Sequence, residues 1–594
     1  MEGVAEIAWY CPAGKSNDAF TDCTAFCNLH GDARLLEKQR SILSEKSSVT
    51  VVLISARSES DRNLIEDLMK STKPLILLIV EEKSNTVQFT KGKYRIGLKD
   101  RGQSNVSEEL DEEDEACQKG KAAAEKVMDL IKGHDVSAIK EKFLTCQGEM
   151  WQKWCDTNKK QYRLKDQAEM DKSQKQQKLK EIRKKQCRDF CGELVNVFVE
   201  GISSLTPSEK EYFLKWTQLL IDDLTTENVS SILQNYDGTW SEVLMLKEKT
   251  EQSDQLRAKQ QELEQISEKL HKATFGLEHI YREMGQIYEA HASLQKQPLT
   301  GQTDWSQYPE LAAELMISGH PIKLMDGDAG HVPITWIPRL LEEVIQKLGD
   351  KRVFVLSVLG IQSSGKSTML NAMFGLQFAV SVGRCTKGAF MQLLKVSDEM
   401  RDLLKFDYVL VVDTEGLRAL ELAGDSTLHR DNELATFVVG LGNMTLINIF
   451  GENPSEMQDV LEIVVQAFMR MKVVKLSPSC VFVHQNVADV AAAEKNMEGR
   501  RRLQEKLDKM VQRAAEEEVY DAQSFSRVIS FNVQEDVKYF AQLWEGSPPM
   551  APPNPGYSES IQDLKNFIVS KASQELARRL PHKIQTQQRC IHLC

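Results

Sequence analysis

The hydrophobic pattern divides the chain into stretches with different periods. In residues 1–100 two short apolar runs, Val49–Ser55 (VTVVLIS) and Leu75–Val80, flank a polar-capped helical pattern from Ser58 to Ser71. Strand, helix and strand in so short a span make a βαβ unit, which pairs its strands in parallel. Residues 101–118 (RGQSNVSEELDEEDEACQ) are acidic and poor in apolar side chains, and read as a linker. From 119 to 296 the period is helical almost throughout. Lys159–Gln186, rich in Lys and Gln, reads as a solvated helical arm or a partly frayed one. Thr206-Pro207-Ser208-Glu209 has the capping-box pattern with Pro at the first helical position. Lys247–Leu294 carries a weak heptad at Leu256, Leu263, Ile266 and Leu270, which fits a bundle helix or a dimerising coiled coil.

Residues 297–334, holding Pro298, Pro309 and Pro321, read as a connector. Trp336–Leu348 is a helix ended by Gly349. From there to residue 580 buried strands alternate with helices, the pattern of a doubly wound α/β domain with a mostly parallel sheet. Residues 581–594 form a tail. The apolar runs have strand length, well short of the roughly 18 residues of a membrane span. The opening MEGVAEIAWY has neither a basic nor a long apolar region, so no signal peptide is expected.

Charge and cysteine content narrow the partners. The net charge of −12 argues against a nucleic-acid binder driven by phosphate contacts. The 12 cysteines are scattered. Cys23 and Cys27 with His30, and Cys590 and Cys594 with His592, lack CxxC spacing and read as reduced cytosolic thiols. The last four residues are no prenylation box, because Cys590 stands one place too early.

Five elements with nucleotide-binding chemistry occur in order within residues 335–580. The first, Gly360-Ile361-Gln362-Ser363-Ser364-Gly365-Lys366-Ser367, fits G-x-x-x-x-G-K-[ST] at every fixed position. A largely apolar strand, Arg352–Val358, precedes it and a helix, Thr368–Phe374, follows. Backbone N–H groups of such a loop face phosphate oxygens, and the helix N-terminus adds partial positive charge. Lys366 would bridge the β- and γ-phosphates, Ser367 would ligate Mg²⁺, and Thr368 opens the helix. Gly14-Lys15-Ser16 also spells GKS, but Trp9 stands where its first glycine should be.

The second element is Arg384-Cys385-Thr386-Lys387-Gly388, in which Thr386 can close over the γ-phosphate and give its hydroxyl to Mg²⁺. The third, Asp413-Thr414-Glu415-Gly416, follows the apolar strand Tyr408–Val412. Such an Asp holds Mg²⁺, and the N–H of Gly416 senses the γ-phosphate. The fourth is Asn486-Val487-Ala488-Asp489 after the strand Cys480–Val483. Asp489 can accept hydrogen bonds from N1–H and the 2-amino group of guanine; adenine lacks that donor pair and would leave the carboxylate unpaired. The fifth, near Ser530-Phe531-Asn532, would meet the base through its backbone.

LGIQSSGKSTMLNAMFG, RCTKGAF, VVDTEGLR and VFVHQNVAD resemble the interferon-inducible very large GTPases and the related up-regulators of cell proliferation. The likeness covers residues 300–580, and more loosely the helical stretch with HIYREMGQIYEAH (His279–His291). TKG and DTEGL are also similar to the guanylate-binding proteins and atlastins, of the dynamin-like large GTPases. The resemblance implies a cytosolic or nuclear GTP-binding protein, often linked to interferon response; the motif residues make Mg²⁺ the expected cofactor, and a homodimer through the G domain is the expected assembly. It also implies that residues 1–100 are the latter half of a degenerate G-like domain without a P-loop.

Turnover is open at this point. Guanylate-binding proteins place an Arg in the P-loop where this chain has Ser363, and Leu417 follows DTEG where small GTPases put a water-orienting Gln. Arg384, two residues before Thr386, is the candidate substitute, acting in cis or across a dimer. Intact Lys366, Ser367, Thr386 and Asp413 favour a slow Mg²⁺-dependent GTPase that switches self-association. The missing Arg and Gln favour a GTP-binding scaffold acting through protein partners of the helical region. An ATPase is opposed by Asp489.

Overall fold

The computed structural model describes residues 5–10, 24–29, 37–55, 74–81, 87–90, 93–99, 114–162, 168–188, 192–248, 254–294, 304–327, 330–349, 351–362, 364–376, 378, 387–397, 401, 406–417, 425–451, 457–487, 493–518, 522–543 and 554–578. The chain divides into two compact units: Met1–Leu110 with Gln542–Tyr557, and Asp111–Ala541 with Ser558–Cys594.

In the first unit β1 (Ala5–Tyr10) and β2 (Thr24–Leu29) form an antiparallel pair. After α1 (Glu37–Lys46), four strands form a mixed sheet: β3 (Thr50–Ser55), β4 (Leu75–Glu81), β5 (Val87–Thr90) and β6 (Lys93–Lys99), in the order β3-β4-β6-β5. β3 and β4 pair in parallel, Thr50 beside Leu75. The helix expected between them, the linker core and the tail from 581 lie outside the described residues.

The second unit begins with helices: α2 (Glu115–Ile131), α3 (Val136–Phe143), α4 (Glu149–Tyr162), α5 (Ala168–Arg188), α6 (Glu193–Ser203), α7 (Pro207–Glu248), α8 (Asp254–Ala273) and α9 (Leu277–Ser293). One half of the capping box is present: Thr206 N donates to Glu209 Oε2 at 2.8 Å, ahead of α7. The weak heptad is spent inside the chain. A break at residues 274–276 separates α8 from α9. Leu263 packs with Tyr236, Trp240 and Val243 of α7, and Leu256 and Ile266 cover that cluster. This is bundle packing, the first of the two readings that the heptad allowed.

Nor is the Lys- and Gln-rich stretch simply a solvated arm. Arg183 and Gln186 of α5 are buried at 2% exposure. The Arg183 guanidinium lies 4.2 Å over the Trp154 ring, donates to Gln186 Oε1 at 2.9 Å and faces Glu289 at 3.6 Å. The buried face joins Leu179 to Arg183 and Gln186, and a face made half of charged and amide side chains reads as solvated in the hydrophobic pattern.

α9 is buried on nearly all sides, and its polar residues organise the helices around it. Glu283 accepts from the N–H groups of Cys146 (2.8 Å) and Gln147 (3.1 Å) and from Gln147 Nε2 (3.0 Å). Burial pushes the Glu283 carboxyl up to about 7 from an ordinary 4.5, against those donors. A carboxyl raised on folding gives its full stability below the unfolded value, and this is lost as pH rises through about 7. Glu283→Gln cannot ionise, so its thermal midpoint relative to wild type is expected to rise from pH 5 to pH 8, by the equivalent of about 3 kcal/mol at most. Melting both proteins across that range checks this.

After the helices come α10 (Tyr308–Ile317), β7 (Ile322–Asp326) and α11 (Trp336–Leu348). The connector reading of 297–334 therefore needs correction: α10 and β7 lie within it, and β7 is one edge strand of the main sheet. β7 is too short for its alternation to stand out. The main sheet adds β8 (Val353–Gly360), β9 (Gly388–Lys395), β10 (Tyr408–Thr414), β11 (Met444–Phe450), β12 (Ser479–Val487) and β13 (Val537–Ala541). Between them run α12 (Lys366–Phe374), α13 (Asp425–Leu441), α14 (Gln458–Val473), α15 (Ala493–Glu518) and the short α16 (Phe525–Val528), and α17 (Pro555–Arg578) follows.

The order is β13-β12-β11-β8-β10-β9-β7, with β13 to β10 parallel and β9 antiparallel to both neighbours. All eight positions of β8 are buried, as its continuous apolar run requires of a strand covered on both faces. The chain passes from β8 to β10 on one side and returns to β11 on the other. Such a reversal opens a crevice at the carboxyl ends of the strands. The helical region joins this domain through charge: Glu289 Oε1 accepts the N–H groups of Thr335 (2.7 Å) and Trp336 (2.9 Å), a carboxylate at the N-terminus of α11.

Candidate nucleotide site

The crevice is lined by the first and third sequence elements. β8 ends at Gly360, the loop turns, and α12 starts at Lys366. Gly365 caps α12 in the left-handed region at φ 80°, a conformation a side chain disfavours, and it aims the helix N-terminus at the crevice. β10 delivers Asp413, which is fully buried. Ser367 Oγ donates to Asp413 Oδ2 at 2.7 Å. Gly416 lies against the loop so closely that a Cβ there would stand 2.2 Å from Gln362 Cα. Leu417 N donates to Gly360 O at 2.9 Å, so the two elements are laced together.

Lys366 is buried and donates through Nζ to Ile361 O at 2.9 Å. Burial pushes its ammonium down to about 8, opposed by the charges of Asp413 and Glu415. Ser364 Oγ donates to the same Ile361 carbonyl at 2.8 Å. Thr368 follows in the first turn of α12.

Glu415 ties several segments together. Its N–H donates to Gly388 O at 2.7 Å, Gly388 N donates to its Oε2 at 3.0 Å, and Arg430 Nη2 reaches Oε1 and Oε2 at 2.6 and 2.8 Å. Arg430 stands on α13, directly downstream of DTEG. The end of the second element and the helix after the third are thus joined through one carboxylate.

The structure brings together Gly360, Ser364, Gly365, Lys366, Ser367, Thr368, Asp413 and Gly416. Ser363, Arg384, Thr386 and Asp489 lie outside the described residues. Asn486 is placed near the end of β12, which runs on to Val487 rather than stopping at Val483. It is exposed, with φ 60°, beside a register shift between His484 and Val487. Its neighbour Gln485 donates to Met369 Sδ of α12 at 3.3 Å, which puts the fourth element on the same edge of the sheet as the loop.

The fifth element is misplaced in the sequence reading. β13 runs parallel to β12, Val537 beside Phe482 and Ala541 beside Val487. Ser530–Asn532 precedes β13 and so lies at the amino end, opposite the crevice. Phe531 packs there on Phe482 and Phe525, 5.4 and 5.3 Å between ring centres, and Asn532 N donates to Asp536 Oδ2 at 2.9 Å. An apolar core residue between two polar ones looks like a base-contacting turn until the strand direction is known.

Two further contacts escaped the sequence. Asn448 of β11 is fully buried and donates through Nδ2 to Ser364 O at 2.6 Å and to Ser364 Oγ at 2.9 Å. Its only mark is one amide in an apolar strand, MTLINIF. Gln362 Nε2 donates to Tyr236 Oη of α7 at 3.4 Å, so the helical region touches the loop itself.

A family model described as URGCP-like GTPase domain matches residues 152–558, and one described as up-regulator of cell proliferation-like domain matches residues 1–132. Interferon-induced very large GTPase 1 of Mus musculus is 44% identical over 98% of this chain and 25% of its own length. Its Homo sapiens counterpart is 44% identical over 97% of this chain and 25% of its own. Up-regulator of cell proliferation of Mus musculus is 30% identical over 97% of this chain and 65% of its own. The chain spans a quarter of the very large GTPases that it matches.

Proposed function

Because this chain belongs to the family of URGCP-like GTPases, we propose that the crevice at β8, β10 and β11 binds guanine nucleotide with Mg²⁺, turns GTP over slowly, and controls self-association through the G domain. The observation that carries this reading is the Ser367–Asp413 pair, 2.7 Å apart at the N-terminus of α12. A hydroxyl and a carboxylate are hard oxygen donors, the set that suits Mg²⁺. Ser367 and Asp413, with Thr386, would hold the ion, which when bound neutralises phosphate charge. Gly365 presents a helix N-terminus to the phosphates, Lys366 supplies a cation with little solvent to displace, and Asp489 would read the guanine edge. The same reading puts the protein in the cytosol or nucleus.

Slow turnover follows from what the loop lacks. Leu417 is aliphatic, fully buried and tied to Gly360, so it cannot orient a water. An arginine placed on the transition state is worth on the order of 10³–10⁵ in rate. Arg384 is the candidate, and Arg384→Ala is expected to slow single-turnover hydrolysis by at least about tenfold with GDP affinity kept. An unchanged rate would remove it from this role. With Leu263 buried against α7 and Leu256 and Ile266 packed on the same cluster, the proposal places self-association in the G domain. Phosphate release per molecule should then rise with protein concentration; a constant specific rate would contradict dimer activation.

A second reading, a scaffold whose nucleotide state acts through the helical region, draws on the Gln362–Tyr236 contact. On it, GDP should slow amide exchange in α7 around Tyr236, and Tyr236→Phe should abolish that protection while GDP still binds. Exchange in α7 that ignores nucleotide in the wild type would discard the scaffold reading.

A further inference from the structure

We propose that Asn448 is a positioning residue for the phosphate loop, setting from the neighbouring strand the direction in which the loop presents its backbone N–H groups. β11 lies beside β8 with Asn448 in register with Gly360, the point where strand becomes loop. A fully buried amide is costly unless hydrogen-bonded, and the hydrogen bonds of this one are made by Nδ2 toward the loop, while its Oδ1 is buried without a hydrogen-bond partner among the described residues. Nδ2 holds Ser364 O at 2.6 Å and Ser364 Oγ at 2.9 Å. Ser364 Oγ in turn donates to Ile361 O, the carbonyl that also receives Lys366 Nζ. One amide therefore fixes Ser364 directly, and Ile361 and Lys366 through it.

The geometry has a direct consequence for ligand binding. In a planar trans peptide the C=O and the following N–H point in opposite directions. With the Ser364 carbonyl drawn to Asn448, the Gly365 N–H points away from β11. That N–H belongs to the residue that caps α12, where an anion would be received. The work needs a donor from a side chain of this length. A carboxylate in its place would repel the Ser364 carbonyl and would add buried negative charge beside a phosphate site.

The proposal rests on the nucleotide-binding reading and is tested with the full chain. Binding of fluorescent N-methylanthraniloyl-GDP is measured from pH 5.5 to 8 in wild type, Asn448→Asp and Asn448→Ala. Losing one buried hydrogen bond that shapes the loop should weaken Asn448→Ala about tenfold at every pH. Asn448→Asp should be weaker still at pH 8 and should recover as pH falls, because a protonated carboxyl regains a donor toward Ser364. A residue that served only to stabilise the core would not produce that pH profile. Wild-type affinity in Asn448→Ala, or an Asn448→Asp protein that stays folded yet binds without recovery at low pH, would overturn the assignment. Absence of GDP binding in the wild type would instead remove the reading underneath it.

Discussion

Replacing Lys366 by alanine is expected to weaken GTP and GDP binding by about 100-fold while the melting temperature stays level or rises. Charge-assisted hydrogen bonds to phosphate contribute about 1.5–3 kcal/mol each, and a lysine held against the β-phosphate that both nucleotides carry should lie at the upper end, about 3 kcal/mol, or that factor of 100. The stability half of the expectation comes from the folded site. Burial pushes the Lys366 ammonium down to about 8, so the folded chain holds a cation at a cost. Alanine removes that cost. The carbonyl that Lys366 leaves, Ile361 O, keeps Ser364 Oγ at 2.8 Å. Isothermal titration with GDP and a melting curve on the same sample test both halves. Loss of binding together with a large fall in melting temperature would mean that Lys366 is structural.

The second large effect concerns the base. Asp489→Asn is expected to lower affinity for GDP by a factor on the order of 100 and to raise affinity for xanthosine diphosphate. A carboxylate accepts two hydrogen bonds and matches the N1–H and 2-amino donors of guanine. An amide offers one acceptor and one donor, which matches xanthine, where a carbonyl replaces the amino group. Swapping a donor for an acceptor inside a recognition pocket leaves groups facing each other unpaired, which is why the loss is expected to be large. Competition of both nucleotides against a fluorescent GDP decides it. Equal behaviour of wild type and variant toward the two bases would take Asp489 out of base recognition.

The strands and turn around the candidate site were legible in the sequence where physics makes local demands. A central parallel strand must be apolar on both faces, so β8 and β10 stood out as continuous runs. The turn between β8 and α12 needs glycine, and Gly365 does adopt the left-handed conformation. Contacts between distant segments were not legible. Tyr236 and Gln362 meet across a long stretch of chain, and neither residue type advertises the other. β7 is five residues long and was submerged in a proline-bearing connector. The polar residues of α9, Glu283 and Glu289, look solvated in the sequence, yet each is buried because it caps the start of another segment. Ser530–Asn532 failed for a different reason: local composition does not tell which end of a strand faces the crevice. Asn448 lies between these cases, a polar residue in an apolar strand whose meaning depends on the strand next to it.

Guanine selectivity is the property on which nucleotide recognition by this site turns. Titrating wild-type protein with fluorescent GTP, GDP and ATP in the presence of Mg²⁺ should give saturable binding of both guanine nucleotides, about 100-fold weaker in Lys366→Ala, with ATP at least about 100-fold weaker than either in the wild type. ATP binding as tight as GTP, or no binding of any of the three, would contradict it.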